Sequence, residues 1–242
     1  MTGPLGRFHE LTLPTPDIRA SVEFYERLGF SQAETGDAWS HPYGVVTDGR
    51  ITLGLHGGAA RAQALTFVHP GVAEFAIELE RRGVTLELNR TGAEVFNEIC
   101  FSDPAGQRIA VIEARTYSPA ARVAEQTSAC GYFAQYSMPT QDLEAAREFW
   151  EPLGFVATPE ASTPYEHLPL TSDHLDLAFH APRLLRNAAL VFVDEDMEAR
   201  IARLTELGVR PASALPRSLD ARRNVLLEAP EGTQLLLLTG EG

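Results

Sequence analysis

The sequence predicts an α+β protein made of four βαβββ units, because it repeats itself and its apolar residues follow the periods of short strands and helices. The segment from Asp17 to Phe30 returns 125 positions later as Asp142 to Phe155. Other landmarks keep the same offset within one residue: Leu79-x-x-x-Gly83 returns as Leu204-x-x-x-Gly208, and Asp103-Pro104-x-Gly106 returns as Ala229-Pro230-x-Gly232. A repeat of this length indicates a duplicated domain, since solenoid units span only about 20 to 50 residues.

The first unit begins with residues 8–13, which alternate in the manner of a half-buried strand. Asp17 is a good N-cap for the helix that follows, and Gly29 is suited to end it. Three short strands are predicted at 31–35, 44–47 and 50–56, the last two joined by the hairpin signal Asp48-Gly49. This order gives one βαβββ unit.

Similar patterns predict the three remaining units. The second has strands at 64–68, 85–88, 98–102 and 108–113 around a helix at 71–82. The third and fourth units cover 132–180 and 188–239, with helices at 142–150 and 195–207. Between the halves, the stretch 116–129 is small and polar and contains Ser118-Pro119, which is typical of a linker. We therefore predict two domains, 1–115 and 130–242, joined by a linker at 116–129.

The charge balance excludes several kinds of partner. Twenty basic and 33 acidic residues give a net charge of -13, whereas nucleic acids and anionic membranes attract clustered positive charge. All the basic residues are arginine, so a lysine Schiff base is excluded. The hydrophobic fraction of 44% is ordinary for a globular protein.

Cysteine usage and the start of the chain predict a soluble protein of the cytoplasm. Cys100 and Cys130 are too few for a disulfide framework or a cysteine metal site. Residues 1–10 lack the basic segment and apolar run of a signal peptide, and no stretch approaches the roughly 18 apolar residues of a membrane-spanning helix.

Four such units, with Phe24-Tyr25-Glu26-x-Leu28-Gly29-Phe30 after the first helix and Asp103-Pro104-x-Gly106 before the last strand of the second unit, resemble the vicinal oxygen chelate superfamily. This superfamily contains glyoxalase I, extradiol dioxygenases and bleomycin-resistance proteins. The resemblance covers the whole chain and implies two glyoxalase-like domains. It further implies that paired units enclose a cleft in which the enzymes hold one divalent metal, with side chains from the first and last strands of each unit.

The resemblance also locates those ligand positions in this chain. Counting from the helix starts and from the turns ending at Gly106 and Gly232, and taking the central residues of Leu53-x-Leu55 and Leu177-x-Phe179, gives eight positions: Glu10, Gly54, Ala64, Ala110, Gln135, Ala178, Ala189 and Leu236. Six of the eight are Ala, Gly or Leu, whereas a catalytic metal needs about three ligands from His, Cys, Asp or Glu. The units could pair first with second, or first with fourth as in swapped members, and neither pairing restores a ligand set. The prediction is a protein without a metal or other cofactor.

Period-two alternation then predicts which side chains line the cleft. The odd units contribute a polar wall and the even units an apolar one, which suits a small amphipathic or aromatic molecule. Loops before the third strand of each odd unit add aromatic groups for stacking, including His41. The predicted ligand-binding residues are Glu10, Thr12, Trp39, Tyr43, His56, Gln135, Ser137, Tyr165, His167 and His180.

Three of these residues are candidate catalytic groups. Glu10 would have a raised pKa in an apolar-walled cleft and could act as a general base, or it is a former ligand position whose carboxylate meets Arg108 or water. His56 and His180 occupy equivalent positions in the two halves, and could act as acid and base or simply lie partly solvated at strand ends.

The leading hypothesis is therefore a metal-free protein that binds a small organic molecule, such as a drug or metabolite that it sequesters. The alternative is an enzyme of the same superfamily, a lyase, isomerase or dioxygenase, either metal-free or with ligands at unusual positions. In a third hypothesis one half binds and the other completes the pseudo-dimer. A duplicated chain already contains the interface of single-domain relatives, so a monomer is favoured over a homodimer.

Overall fold

The computed structural model describes residues 4–33, 41–58, 62–114, 128–212 and 215–240. These residues form two mixed β-sheets of eight and seven strands, with the four helices packed against them. The predicted linker, 116–129, lies outside the described residues except for Ser128 and Ala129. The division at this segment stays our proposal, and the α+β fold of four related units is confirmed.

The first sheet has the strand order β2-β3-β4-β1-β5-β8-β7-β6. Its elements are β1 (Arg7–Thr15), α1 (Ile18–Arg27), β2 (Ser31–Gln32), β3 (Tyr43–Thr47), β4 (Thr52–Gly57), β5 (Ala64–His69), α2 (Val72–Arg81), β6 (Leu88–Arg90), β7 (Glu98–Ser102) and β8 (Arg108–Glu113).

The second sheet has the order β10-β11-β12-β9-β13-β15-β14. It is built from β9 (Tyr132–Pro139), α3 (Leu143–Trp150), β10 (Val156–Ala157), β11 (His167–Thr171), β12 (Leu177–His180), β13 (Ala189–Asp194), α4 (Met197–Glu206), β14 (Val225–Glu228) and β15 (Gln234–Thr239). The described part of the fourth unit has two strands after its helix instead of the expected three. Pro211 and Pro216 fall in this stretch and cannot donate to a strand ladder, and Ala212 makes a single backbone hydrogen bond to Leu226.

Strand pairing decides which units associate. In the first sheet β1 pairs antiparallel with β5, and in the second β9 pairs antiparallel with β13. The first unit therefore pairs with the second and the third with the fourth, so that each half completes a sheet of its own. The swapped arrangement that the sequence left open does not occur.

The repeated motif is a helix with its own start and stop. The carboxylate of Asp17 accepts a hydrogen bond from the backbone N–H of Ala20, and Asp142 accepts the equivalent bond from Ala145, each at 3.0 Å. Gly29 ends the first helix with a φ of 87°, which favours glycine because other residues are strained there. These local backbone interactions explain why the helices could be predicted from the sequence.

The helix-covered faces of both sheets share one hydrophobic core. The apolar residues that alternate with the predicted cleft-lining positions all lie in it: Leu11, Leu13, Leu53, Leu55, Leu65, Phe67, Ile109 and Val111. Residues of the second half, such as Phe192, belong to the same core, and its ring lies 6.4 Å from that of Phe30. The alternation prediction is confirmed. The opposite face of each sheet, which we call the concave face, does not belong to this core and can contribute to a binding site. No helix in the described ranges is both long and apolar enough to cross a membrane.

Candidate functional site

A β-bulge near the start of β1 determines which side chains reach the concave face of the first sheet. The register with β5 shifts between Phe8 and Glu10, so His9 is the extra residue. Phe8 consequently faces the core with Leu11, while Glu10 and Thr12 face the concave side. A similar shift in β9, between Phe133 and Gln135, repeats this arrangement in the second sheet.

Glu10 is the centre of a buried polar cluster on this face. It is 0% exposed, and its Oε1 accepts hydrogen bonds from Thr12 at 2.9 Å and from His56 Nε2 at 2.7 Å. The hydroxyl of Tyr43 donates to Oε2 at 2.9 Å. Four residues that the sequence predicted as ligand-binding, spread over three strands, thus meet at one carboxylate.

The cluster extends from Thr12 to Thr66 on one side of Glu10 and from His56 to His41 on the other. Thr12 uses its proton on Glu10, so Thr66 donates to Thr12 across their 2.6 Å contact. On the other side, His56 Nδ1 lies 2.8 Å from His41 Nε2. When His56 is neutral, its Nε2 donates to the carboxylate and its Nδ1 accepts from His41. Carboxylate, buried imidazole and half-buried imidazole therefore form one hydrogen-bonded chain.

The expected raised pKa of Glu10 is wrong. Burial by itself raises the pKa of the Glu10 carboxyl, but the hydrogen bond from His56, the charges of His9 and His56, and the bond from Tyr43 together hold it below its ordinary value. The carboxylate meets neither water nor Arg108, whose guanidinium lies 3.5 Å from Glu87. Glu10 is thus an ionised acceptor for surrounding donors rather than a poised general base.

The second sheet carries a parallel but different cluster. The amide of Gln135 donates to the hydroxyl of Tyr165 at 3.3 Å, and that hydroxyl donates to Ser137 Oγ at 3.1 Å. Ser137 Oγ in turn lies 2.8 Å from His180 Nδ1. His167 adds its Nδ1 to the backbone carbonyl of Tyr165 at 2.9 Å. All five predicted residues of this half are therefore neighbours.

His180 anchors a loop through its other nitrogen. Nε2 lies 3.1 Å from the carbonyl oxygen of Leu185, which can only accept, so Nε2 carries the proton and Nδ1 accepts from Ser137. Burial lowers the pKa of His180 to about 4, which keeps the ring neutral. Both nitrogens are used within the protein, so the geometry gives His180 a structural role instead of the expected partly solvated strand end.

The loop held by His180 fills the concave face of the second sheet. Leu185 packs there with Leu219 and Tyr165 against the leucines of β14 and β15, which together form a separate apolar core. The equivalent face of the first sheet has smaller side chains. Its apolar cluster consists of Ala64, Cys100 and Ala110, with Leu88 beside it.

The side chains of the first face can be compared with those of the second position by position. Ala110 and Leu236 both follow the glycine of their turn by four residues, and Cys100 and Leu226 pair with them in register on the neighbouring strand. Ala110 and Cys100 each have a smaller side chain than the leucine at the equivalent position of the second sheet. The two halves share a scaffold but differ in the volume of the wall opposite their polar clusters.

Comparison with known proteins agrees with this architecture. A sequence model of the Glyoxalase/Bleomycin resistance protein/Dioxygenase superfamily matches residues 7–111, which span the first sheet from β1 to β8. The match covers less than half of the chain and shows that the first sheet is similar to members of this superfamily. No curated protein sequence matches it significantly.

Solved structures of dioxygenases are similar in fold to the whole chain. A catechol 2,3-dioxygenase matches with a TM-score of 0.62 and 14% identity, covering 100% of this chain and 89% of that one. An extradiol ring-cleaving dioxygenase from B. fuscum matches at 0.62 and 15%, covering 100% and 73%. The 2,3-dioxygenase LapB from Pseudomonas sp. KL28 matches at 0.60 and 13%, covering 100% and 94%. At these identities the similarity establishes a shared fold.

The residues at the superfamily's metal-ligand positions do not fit a divalent ion here. In the first sheet Glu10 is the one carboxylate among them, and hydrogen bonds from Thr12, His56 and Tyr43 engage its oxygens. The other three positions of this sheet, Gly54, Ala64 and Ala110, offer no side-chain donor atom. Within the described ranges, no group of three or more His, Cys, Asp or Glu residues could hold a metal ion.

Sequence reasoning missed some members of these sites. His9 approaches Glu10 Oε2 at 3.7 Å only because of the bulge, which alternation cannot show. Leu185 lies in a loop without any motif. Trp39, predicted to stack on a ligand, lies outside the described residues.

Proposed function

We propose that the concave face of the first sheet binds a small amphipathic or aromatic organic molecule. The observation that supports this most directly is the difference between the two faces. Leu226, Leu236 and the Leu185 loop fill the second face, while Cys100 and Ala110 stand at the equivalent places of the first. A face with small residues on one wall and a buried polar cluster on the other has the character of a ligand site.

The chemistry of the two walls suggests the ligand class. The apolar wall of Ala64, Cys100 and Ala110 suits a flat hydrocarbon ring, and the opposite wall offers the half-buried side chains of His41 and Tyr43. Structural neighbours of this chain are named for catechol and homoprotocatechuate. Aromatic diols and their carboxylates are therefore the first ligands to test.

Filling the first face tests the proposal. Ala110→Leu copies Leu236 of the second half, and we expect it to abolish binding of catechol or a substituted catechol by calorimetry. Leu236→Ala, the reciprocal exchange in the second half, is the matched control and should leave that binding unchanged. Equal loss in both variants, with both folded by circular dichroism, would refute the assignment to the first face.

A second candidate function is acid–base catalysis by the same site. The chain from Glu10 through His56 to His41 favours it, because a carboxylate can stabilise the charge that a histidine acquires on taking up a proton. Recovery of a bound ligand unchanged after long incubation would favour sequestration, whereas a new product would favour a lyase or isomerase. Elemental analysis of protein purified without chelator distinguishes a metal-dependent reaction from both.

The state of assembly and the place of action belong to the same proposal. We propose a cytoplasmic monomer with an internal pseudo-dimer, since the two halves already share one core. Light scattering across a range of concentrations tests it, and a mass near twice the 26.4 kDa of the chain would indicate a homodimer.

A further inference from the structure

A cavity remains at one end of the otherwise filled concave face of the second sheet. It has a volume of about 710 Å³, and its lining includes Arg183, Leu184, Arg186, Leu226, Glu228 and Gln234. This volume falls in the range of about 300 to 1,000 Å³ that is typical of small-molecule sites. The cavity is separate from the first-sheet site, whose polar and small residues belong to β1, β4, β5, β7 and β8.

The side chain of Gln234 supplies the feature that points to a ligand. Gln234 lies on β15, two residues before Leu236, and its backbone pairs with Ala189 on one side and Glu228 on the other. Its side-chain oxygen is buried and has no hydrogen-bond partner in the described part of the chain. A buried acceptor without a donor is unfavourable, so a ligand N–H or O–H placed there would be stabilised.

The rim of the cavity carries two arginines and an asparagine. Arg183, Arg186 and Asn187 are exposed there, and Arg183 is held by Glu166 at 2.6 Å. Guanidinium groups bind carboxylates in a planar, often bidentate geometry. Because Glu166 already pairs with Arg183, Arg186 is the arginine of the rim that a ligand carboxylate would meet, and Glu228 is the acidic residue of the lining.

The floor between rim and Gln234 is apolar. Leu184, Leu185, Leu226 and Ala212 line it, and all four contribute to the apolar core of this half. Leu185 is fixed by the hydrogen bond from His180 to its carbonyl oxygen. The cavity therefore presents an exposed arginine, Arg186, at its rim, an apolar middle and a buried acceptor.

We infer that this cavity is a second ligand site, which binds a small carboxylic acid with an apolar body and an N–H or O–H donor. The carboxylate lies at Arg186, the apolar body covers Leu184 and Leu226, and the donor reaches Gln234. N-acylated apolar amino acids have this combination of groups and serve as probes.

Three probes that differ by one group test the assignment in calorimetry or ligand-observed NMR. N-acetyl-L-phenylalanine has all three groups, its methyl ester lacks the anionic charge, and 3-phenylpropanoate lacks the N–H. We expect the acid to bind about tenfold more tightly than either of the others, which is about 1.4 kcal/mol for each missing interaction. Equal affinities, or no binding of the acid at millimolar concentration, would overturn the inference.

Variants locate the binding and keep the test independent of folding. Arg186→Gln should remove the preference for the acid over its ester, and Gln234→Leu should remove its preference over 3-phenylpropanoate. Arg19→Gln, an exposed change on α1, is the matched control and should alter neither preference. Arg186→Met serves as a second rim variant if Arg186→Gln misfolds. Ala110→Leu should not affect these probes, so a failure here is distinguishable from a failure of the first-sheet site.

Discussion

The carboxylate of Glu10 occupies the space in which a side chain on Gly54 would begin. A Cβ added to Gly54 would lie 2.2 Å from Glu10 Cδ and at similar distances from both oxygens. Gly54 faces Thr12 in the register of β4 with β1, so the absent side chain leaves room for the Glu10 cluster. The equivalent pair in the second half is Gln135 with Ala178, and there Gln135 donates to Tyr165.

Gly54→Ala should therefore destabilise the protein by displacing a buried carboxylate from its donors. We expect a loss of about 1–3 kcal/mol in the free energy of unfolding, measured by urea denaturation. Gly92→Ala is the matched control, because its new Cβ would find its nearest neighbour, Val95, at an ordinary 3.5 Å. Glu10→Ala should relieve the clash, so the double variant should lose less than the sum of the single losses. Strict additivity would contradict this.

Acid should weaken the contribution of Glu10. Its pKa in the folded protein lies below the ordinary 4.5, so as the pH falls the unfolded chain takes up the proton first. The stabilisation is complete above that value and is lost as the pH falls through the lowered folded pKa. Unfolding curves from pH 7 to pH 3 should thus show the difference between the native protein and Glu10→Gln shrinking below pH 4.5. A difference that stays constant would show that Glu10 is not held ionised by its donors.

The buried His180 predicts a second pH effect in a higher window. Its pKa falls from 6.5 to about 4 on folding, so between these values the unfolded chain binds a proton that the native state refuses. Stability is full above pH 6.5 and declines toward pH 4, by roughly 3 kcal/mol at 1.36 kcal/mol per pH unit. His180→Gln lacks this titration. It should be less stable than the native protein at pH 8 and approach it near pH 4, and parallel curves would argue against a buried neutral ring.

The contact between the two halves predicts a coupling energy. The hydroxyl of the fully buried Tyr25 donates to Glu231 at 2.6 Å, and Ser21 donates to the other oxygen at 2.8 Å. Tyr25→Phe removes a bond to a charged acceptor and should reduce the free energy of unfolding by about 1.5–3 kcal/mol. A double-mutant cycle with Glu231→Gln should show that the two losses are not additive. Additive losses would mean that the two side chains do not interact.

Much of the architecture could be predicted from the sequence because it depends on interactions between residues close together in the chain. Asp17 and Gly29 cap and end a helix through backbone groups a few residues away, and the same chemistry operates at Asp142. Period-two alternation placed Glu10 and Thr12 on one face and Leu11 on the other, as the structure confirms. By themselves these patterns determined four related units, a core face and most members of both polar clusters.

Only the tertiary structure decided what those clusters do. The lowered pKa of Glu10 depends on His56, which comes from another strand. The room for its carboxylate depends on Gly54, whose lack of a side chain matters only in this register. Leu185 packs on the second face because His180 holds its loop, and no periodic pattern in the sequence predicts that contact. Strand register and loop packing join residues far apart in sequence. Because of those contacts, the two similar halves have side chains of different size opposite their polar clusters and different hydrogen bonds within them.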